Sequence, residues 1–578
     1  MIKKLFNSKI GLPLVIVLLV AINWLASAFH GRIDFTSEKR FTLSQSTRTV
    51  LKNLDGKVDI TVFLAGDIKS EFKKLANSTK ELLENFKNYG GSKIQYQFEL
   101  PGEGLNDSLK AQLFDSLINM GLRPTTQQVQ TVEGEGKIQR QVFPGAIIRY
   151  GDTAVAVDFL QGQVQKTSFN SSDSVDKKLL NNAEALLEFK FANAIKKITQ
   201  KEVPVVAYTY GNGEPPYGFA GIYSLFETLG QNYSADIVDL HTDPFISAQD
   251  YSTLVIVKPT EKFTDDEKFK LDQYVMNGGN LLFFVSSLYT ERDSLKNGEL
   301  IAYSRDLNLN DLLFHYGARI NTDIIADKYS DKIKLQVGYM GGQPQYSYVS
   351  FPYAPLLQPG SEHSIVKNQA DVMGVFVNSV DTVEAENIKK TILLASSPNA
   401  YTFPTPAQIT LSSLQTIDNI KKFNKKNIPV AVLLEGKFTS LFTLRKSQSQ
   451  EDTLKAYGQT FAAECKQTGR IIVAGNADIV MSQFSEALGR PLTMGVNKDT
   501  KVQYANKDFF LNCLEYLANK NNILDSRAKG YTLRLLDAGK VASQRSLWQI
   551  VNIVAPILLV CLFALFYQWR RKRKYTAA

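Results

Sequence analysis

Two apolar runs frame this chain and decide what the rest of it can be. Ile10 to Phe29 and Leu547 to Trp569 carry no charged residue, and each is long enough, as a helix, to cross the ~30 Å hydrocarbon core of a bilayer. Arg570-Arg571-Lys572-Arg573-Lys574 follows the second run directly, and Lys3, Lys4 and Lys9 precede the first. Cytoplasmic flanks collect Lys and Arg, so the basic tail, residues 570–578, predicts a cytoplasmic C-terminus. Two spans then return residues 1–9 to the same side. In a bacterium this anchors both ends in the inner (cytoplasmic) membrane and places the bulk of the chain in the periplasm. Arg32, Lys39 and Arg40 lie just beyond the first run and nearly balance its flanks, so the tail sets the orientation. Ala26-Ser27-Ala28 has the spacing of a signal-peptidase site. A retained anchor is favoured, because the apolar run exceeds the roughly 7–15 residues of a signal-peptide core. Both readings export the middle of the chain.

The formal net charge of +9 points to nucleic acid only until it is located. Residues 1–9 hold three basic groups and residues 570–578 hold five, with no acids in either, leaving +1 for everything between. A neutral exterior lacks the electrostatic footprint of a phosphate-backbone binder, so no nucleic acid is expected. The tail instead suits the anionic lipid of the inner leaflet. Three cysteines make no disulfide scaffold: Cys561 lies in the second run, and Cys465 and Cys513 are either a pair or two buried thiols. Four scattered histidines, without CxxC or HExxH, give no metal site and no cofactor to expect. Gly436-Lys437 lacks the leading glycine of a Walker A loop, so ATP hydrolysis would need a partner.

The exported ~515 residues imply about three domains. In residues 35–200, Ser44 is a fit N-cap, Val58–Leu64 alternates as a strand, and an amphipathic helix runs from Asp67 to Tyr89. A strand at Ile94–Leu100, a helix at Asp107–Met120, a hairpin turned at Gly151-Asp152 and a helix from Val175 to Thr199 follow. The order βαβαββα is that of a thioredoxin-like fold without its redox dithiol. Residues 203–326 alternate strands (Val203–Tyr208, Asp236–Leu240, Leu254–Val257, Leu281–Val285) with helices, the pattern of a doubly wound, flavodoxin-like parallel sheet. Residues 327–415 are Tyr-, Gln-, Pro- and Gly-rich and read as a β-rich insertion. The α/β pattern resumes over 416–530, with Ile428–Leu434 and Arg470–Ala474 as late strands of the same sheet. Residues 531–546 link to the membrane.

Two strand-end loops are the candidate ligand-binding positions. Gly211-Asn212-Gly213-Glu214 lies where parallel sheets bind ligands, and Asp478, in Gly475-Asn476-Ala477-Asp478, offers a second polar group. A glycine-rich turn that merely needs positive φ is the competing and favoured reading. Should Glu214 and Asp478 lie ~5–9 Å apart, they would suit acid–base work on a periplasmic glycan. Within the spans, Asn23, Asn552 and Pro556 are candidate contacts with permease helices or a second copy, giving a homodimer.

Thr36 to Ser44, the Gly211–Glu214 loop with Asn277-Gly278-Gly279-Asn280-Leu281-Leu282, and Arg470–Asp478 with Asn506–Leu517 and the C-terminal span together resemble one family. It is the GldG-type auxiliary component of gliding-motility ABC transporters in Bacteroidota. The resemblance runs over nearly the whole chain and rests on order and spacing. It implies a non-enzymatic auxiliary or substrate-binding subunit, a multispanning permease of the GldF type and a cytoplasmic ATPase of the GldA type. It also implies a middle domain similar to glutamine-amidotransferase-like α/β folds. An amidotransferase needs a nucleophile on a strand-to-helix elbow, whereas Leu254–Val257 ends in Lys258-Pro259. Fold similarity therefore does not carry that chemistry across. A structural tether for other periplasmic proteins is a third reading.

Overall fold

Short local signals set most of the helix boundaries. Ser44 accepts the Thr47 amide hydrogen at 3.2 Å and starts α1 (Gln45–Lys52). Its own amide donates to Glu188 Oε1 at 2.7 Å, tying that start to a helix 144 residues later. The computed structural model describes residues 42–66, 68, 70–130, 137–160, 165–166, 177–290, 299–410, 423–519, 523–528 and 538–575, with Val17, Leu19 and Val20. It divides into two units, Met1–Gly530 and Tyr531–Ala578, and the chain is a mixed α/β protein.

The first sheet of the larger unit comes from β1 (Val58–Val62), β2 (Ile94–Phe98), β5 (Gly145–Tyr150) and β6 (Thr153–Asp158), in the order β2-β1-β5-β6. β1 and β2 are parallel, whereas β5 runs antiparallel to both β1 and β6. Helices α2 (Ser70–Gly90) and α4 (Lys177–Thr199) cover one face, where Val58, Ile60 and Val62 meet Phe72, Leu83, Phe86, Leu187 and Phe191. Helix α3 (Asp107–Asn119) sends Leu117 to the other face, against Phe63, Phe143 and Ile147. Sequence periodicity does not anticipate a separate hairpin, β3 (Thr125–Gln130) with β4 (Lys137–Val142). Its TTQQVQ and KIQRQV strands carry too few apolar residues to show a buried face.

The large sheet has ten strands. Its parallel half comprises β7 (Val205–Tyr210), β8 (Ser234–Asp239), β9 (Thr253–Val257), β10 (Asn280–Phe284) and a strand far along the chain, β15 (Gly469–Ala474), in the order β15-β10-β9-β7-β8. Alternate side chains feed two apolar clusters. Val206, Val255, Leu282 and Ile472 meet α5 (Tyr223–Asn232) and α8 (Asn506–Ala518) on one face. Ala207, Ile256, Phe283 and Val473 meet α6 (Asp265–Met276) on the other. Cluster residues run unbroken from β1 through α4 to β7, so one core joins the two sheets.

A wholly parallel sheet is not what forms. β11 (Ser330–Met340), β12 (Gln343–Pro359), β13 (Ile388–Ala395) and β14 (Pro429–Gly436) extend it beyond β15 in antiparallel order. Residues read as an insertion therefore supply four strands of the same sheet, the fourth being the short Val372–Met373, which pairs with β12. The outer ends of β11 and β12 project as a two-stranded arm, with Tyr339, Met340, Tyr346 and Tyr348 exposed. Helix α7 (Gln448–Ala456) lies between β14 and β15 in sequence, and its Leu454 packs with Phe269 of α6 and Phe442. Cys465 and Cys513 are free and buried, the Cys465 thiol donating to the Val275 carbonyl at 3.3 Å.

The smaller unit contains helix α9 (Ala538–Tyr575), with Pro556 inside it. Among the described residues, one helix is long and apolar enough to cross a membrane, Leu547–Arg573, with a mean hydropathy of 2.6. Of the N-terminal run, Val17, Leu19 and Val20 are described, and they are helical and exposed. Asn23 lies outside the described residues.

Candidate functional site

Strand order reverses between β7 and β9: β8 lies outside β7, while β9, β10 and β15 continue the other way. Ligands of open α/β sheets bind beyond the strand ends at such a switch point, and Gly211-Asn212-Gly213-Glu214 follows β7 there. Gly211 (φ 120°) and Gly213 (φ 73°) hold conformations that side chains resist. A Cβ on Gly213 would also overlap the Thr260 hydroxyl. The Asn212 carbonyl accepts from the Thr260 and Glu261 amides, each at 2.9 Å. Thr260 Oγ1 donates to the Gly213 carbonyl at 2.8 Å, and Tyr208 OH donates to the Pro215 carbonyl at 2.8 Å. The loop is thereby clasped to the segment that follows β9.

Its side chains turn inward. Asn212 is 1% exposed and Glu214 2%. The Asn212 amide donates to Glu214 Oε2 at 2.7 Å, and Asn212 Nδ2 donates to Glu267 Oε2 at 2.9 Å. Glu267 is the third residue of α6. It accepts from the Thr264 amide at 2.7 Å, while the Thr264 hydroxyl accepts from the Glu267 amide at 3.2 Å, a reciprocal cap. Glu267 Oε1 reaches His241 Nδ1 at 3.4 Å, the imidazole standing in solvent beyond β8.

The two carboxyls differ because their surroundings do. Burial drives Glu214 up to about 7, against the backbone hydrogen bonds that hold it down and with the Glu267 charge adding to the rise. Burial also pushes Glu267 upward, but hydrogen bonds from Thr264, Asn212 and His241 prevail and hold it below the usual carboxylate range. Glu214 Oε1 and Asn212 Oδ1 are buried without hydrogen-bond partners. On the solvent side of Glu267 lies a cleft of about 310 Å³ between α6 and α7. Phe245, Phe269 and Leu454 make its apolar wall, His241 and Lys270 its rim, and Gln450 Nε2 bridges to Asp266 Oδ1 at 2.7 Å.

The remaining candidates lie elsewhere. Asp478 follows β15, three strand spacings from β7, or roughly 14 Å at ~4.8 Å per step. In that loop the buried polar side chain is Asn476, which donates to the Val375 carbonyl at 2.6 Å and accepts the Val375 amide at 3.3 Å. Glu214 and Asp478 thus belong to different braces. Asn552 and Pro556 are exposed on α9, one turn apart. Lys258 occupies the elbow after β9 with φ 51°, its amide donating to the Phe284 carbonyl at 2.9 Å. The left-handed turn of a nucleophile elbow is present there, with an ammonium in place of a thiol or hydroxyl. Glu267 is not among the candidates read from the sequence; its place three residues after Thr264, at a strand-end helix, was the available signal.

A family model described as an ABC-type uncharacterized transport system matches residues 203–513, and a domain of unknown function matches residues 37–149. An uncharacterized protein of Borreliella burgdorferi is 20% identical over 460 residues, covering 78% of this chain and 81% of that protein. Among solved structures, an mmIFT52 N-terminal domain is 15% identical with a TM-score of 0.30, covering 54% of this chain and 96% of that one. The exo-beta-1,4-mannosidase Op5Man5 from Opitutaceae bacterium strain TAV5 is 9% identical with a TM-score of 0.19, covering 78% of this chain and 52% of that one. Likenesses this distant fix neither fold nor chemistry.

Proposed function

The chain belongs to the family described as an ABC-type uncharacterized transport system, and from that premise we propose that it is a non-enzymatic auxiliary subunit of a membrane ABC transporter. The observation that carries the proposal is the family match over residues 203–513 in a chain that also holds the apolar helix Leu547–Arg573. Two spans are too few for a transport pathway, so a multispanning permease and a cytoplasmic ATPase complete the complex. The subunit's role is to present its exported domains to substrate or to other proteins, with the α6–α7 cleft beside Glu267 as the place where a small ligand enters.

In its finer form the proposal follows the sequence resemblance. The partners are of the GldF and GldA types, the transporter serves gliding motility, and both termini are cytoplasmic with the bulk of the chain periplasmic. The β2-β1-β5-β6 order supports a thioredoxin-like N-terminal domain, and the parallel half of the large sheet supports an amidotransferase-like one. Inverting glycosidases hold their carboxyls about 6.5–9.5 Å apart; strand ends roughly 14 Å apart give Glu214 and Asp478 little support as such a pair.

A mild-detergent pull-down of the tagged full-length chain tests the proposal. A permease and its ATPase should co-purify. An intact, folded chain that brings down neither would overturn it.

A further inference from the structure

Where the N-terminal sheet meets the large one, charged groups from four elements surround a cavity of about 150 Å³. Asp158 ends β6, Lys190 and Asn193 lie on α4, Asp508 is in the first turn of α8, and Arg527 lies in the 3-10 turn Ile523–Ala528. At roughly 30 Å³ per water the space takes about five waters, or one small solute. Lys190, Asn193 and Asp508 are only part-buried, so the cavity reaches solvent.

Backbone carbonyls and an amide oxygen accept from the two cations. Lys190 Nζ donates to the carbonyls of Asp158 at 2.9 Å and Phe159 at 2.7 Å. Arg527 donates to Asn512 Oδ1 at 2.7 Å and the Lys367 carbonyl at 3.2 Å, its guanidinium lying over the Phe189 ring. Asp158 accepts the Leu160 amide at 2.8 Å, yet among the described residues no ion pair joins either Asp158 or Asp508 to a base. Burial raises both carboxyls above their usual range and lowers Lys190 to about 8. On the same lining, Asn193 Oδ1 and Arg527 Nε are buried without partners, a state native interiors seldom leave unanswered.

The lining carries both signs: Asp158 and Asp508 face Lys190, Lys197 and Arg527, while Glu515 is already paired with Lys196 at 2.7 Å. A simple anion or cation would meet only one of the two signs, and an apolar solute would satisfy none of the unpartnered atoms. A neutral molecule carrying both signs matches the arrangement. We propose that this cavity binds a small zwitterion of the free α-amino-acid class, its ammonium toward Asp158 and Asp508 and its carboxylate toward Arg527 and Lys190. Because Asp158 and Lys190 belong to β6 and α4 of the N-terminal layer, and Asp508 and Arg527 to α8 on the large sheet and the turn after it, the bound molecule clamps the two layers together. This site is separate from the α6–α7 cleft and does not depend on the transporter reading.

The test titrates the detergent-solubilised full chain with glycine, L-alanine, L-glutamate and L-lysine, following Tm and the heat of binding. At least one should raise Tm saturably, whereas N-acetylglycinamide, which lacks both charges, should not. Asp508→Asn should weaken binding about tenfold or more, the usual loss when a hydrogen bond to a charge is removed, and keep the far-UV spectrum of the parent. If that variant fails to fold, Asn193→Leu makes the same comparison. No saturable response to any of the four, an equal response to N-acetylglycinamide, or affinity unchanged in the folded variant would each overturn the proposal.

Discussion

At the scale of single residues, Glu214 occupies a place that suits a carboxyl only while it keeps its proton. Its folded pKa is raised to about 7 from an ordinary 4.5, so the folded state binds that proton more tightly than the unfolded chain. Stability from this group is therefore full below about pH 4.5 and declines as pH rises toward 7, by about 3 kcal/mol in all. Glu214→Gln keeps an acceptor for the Asn212 amide and removes the ionisation. Its urea midpoint should stay flat across pH 4.5–7 and exceed the parent's at pH 8; parallel profiles for the two proteins would show that another group titrates. Gly213→Ala meets both a positive φ and the Thr260 hydroxyl, and should cost roughly 1–3 kcal/mol, read as a lower urea midpoint. The position of this loop was legible from glycines at a strand end. Its inward turn was not, because the partner that draws Asn212 in, Glu267, lies 55 residues on.

At the scale of elements, helices were the more legible because their signals are local. Ser44 and Thr264 cap as their side chains promise, and Gly278 ends α6 with φ 102°. Strand partners are not local, so the antiparallel extension by β11 to β14 could not be read from residues 327–415 alone. For α9, the element-scale question is whether it touches a partner or only anchors. In lipid, apolar side chains gain little from association, and packing shape and polar groups must supply specificity. Replacing Leu547–Trp569 by a Leu/Ala helix while keeping Arg570–Lys574 should leave the larger unit folded and reduce co-purification with the proposed permease partner. Undiminished co-purification would assign the contact to the larger unit and leave Asn552 and Pro556 as bystanders.

At the scale of the whole molecule, the proposed topology has a direct readout, and the fold says where to place it. Asp331 is a poor insertion point, because its buried carboxylate holds Tyr504 OH at 2.7 Å and Asn497 Nδ2. Gly341-Gly342, at the exposed tip of the β11–β12 arm, interrupts no buried contact. A reporter active only in the periplasm should work at that tip and stay silent after Ala578; the reverse pattern would invert the topology. The large sheet also imposes a timetable on the growing polypeptide. β10 finds one neighbour at once in β9, but the other, β15, begins at Gly469, and the Arg470 amide, 190 residues after Asn280, donates to Asn280 Oδ1 at 3.2 Å. At roughly 5–20 residues per second, synthesis takes about 10–40 s to deliver it. Until then Leu281–Phe284, fully covered in the finished protein, presents a bare apolar edge, and such edges recruit other chains. Any truncation ending before Gly469 leaves that edge open for good.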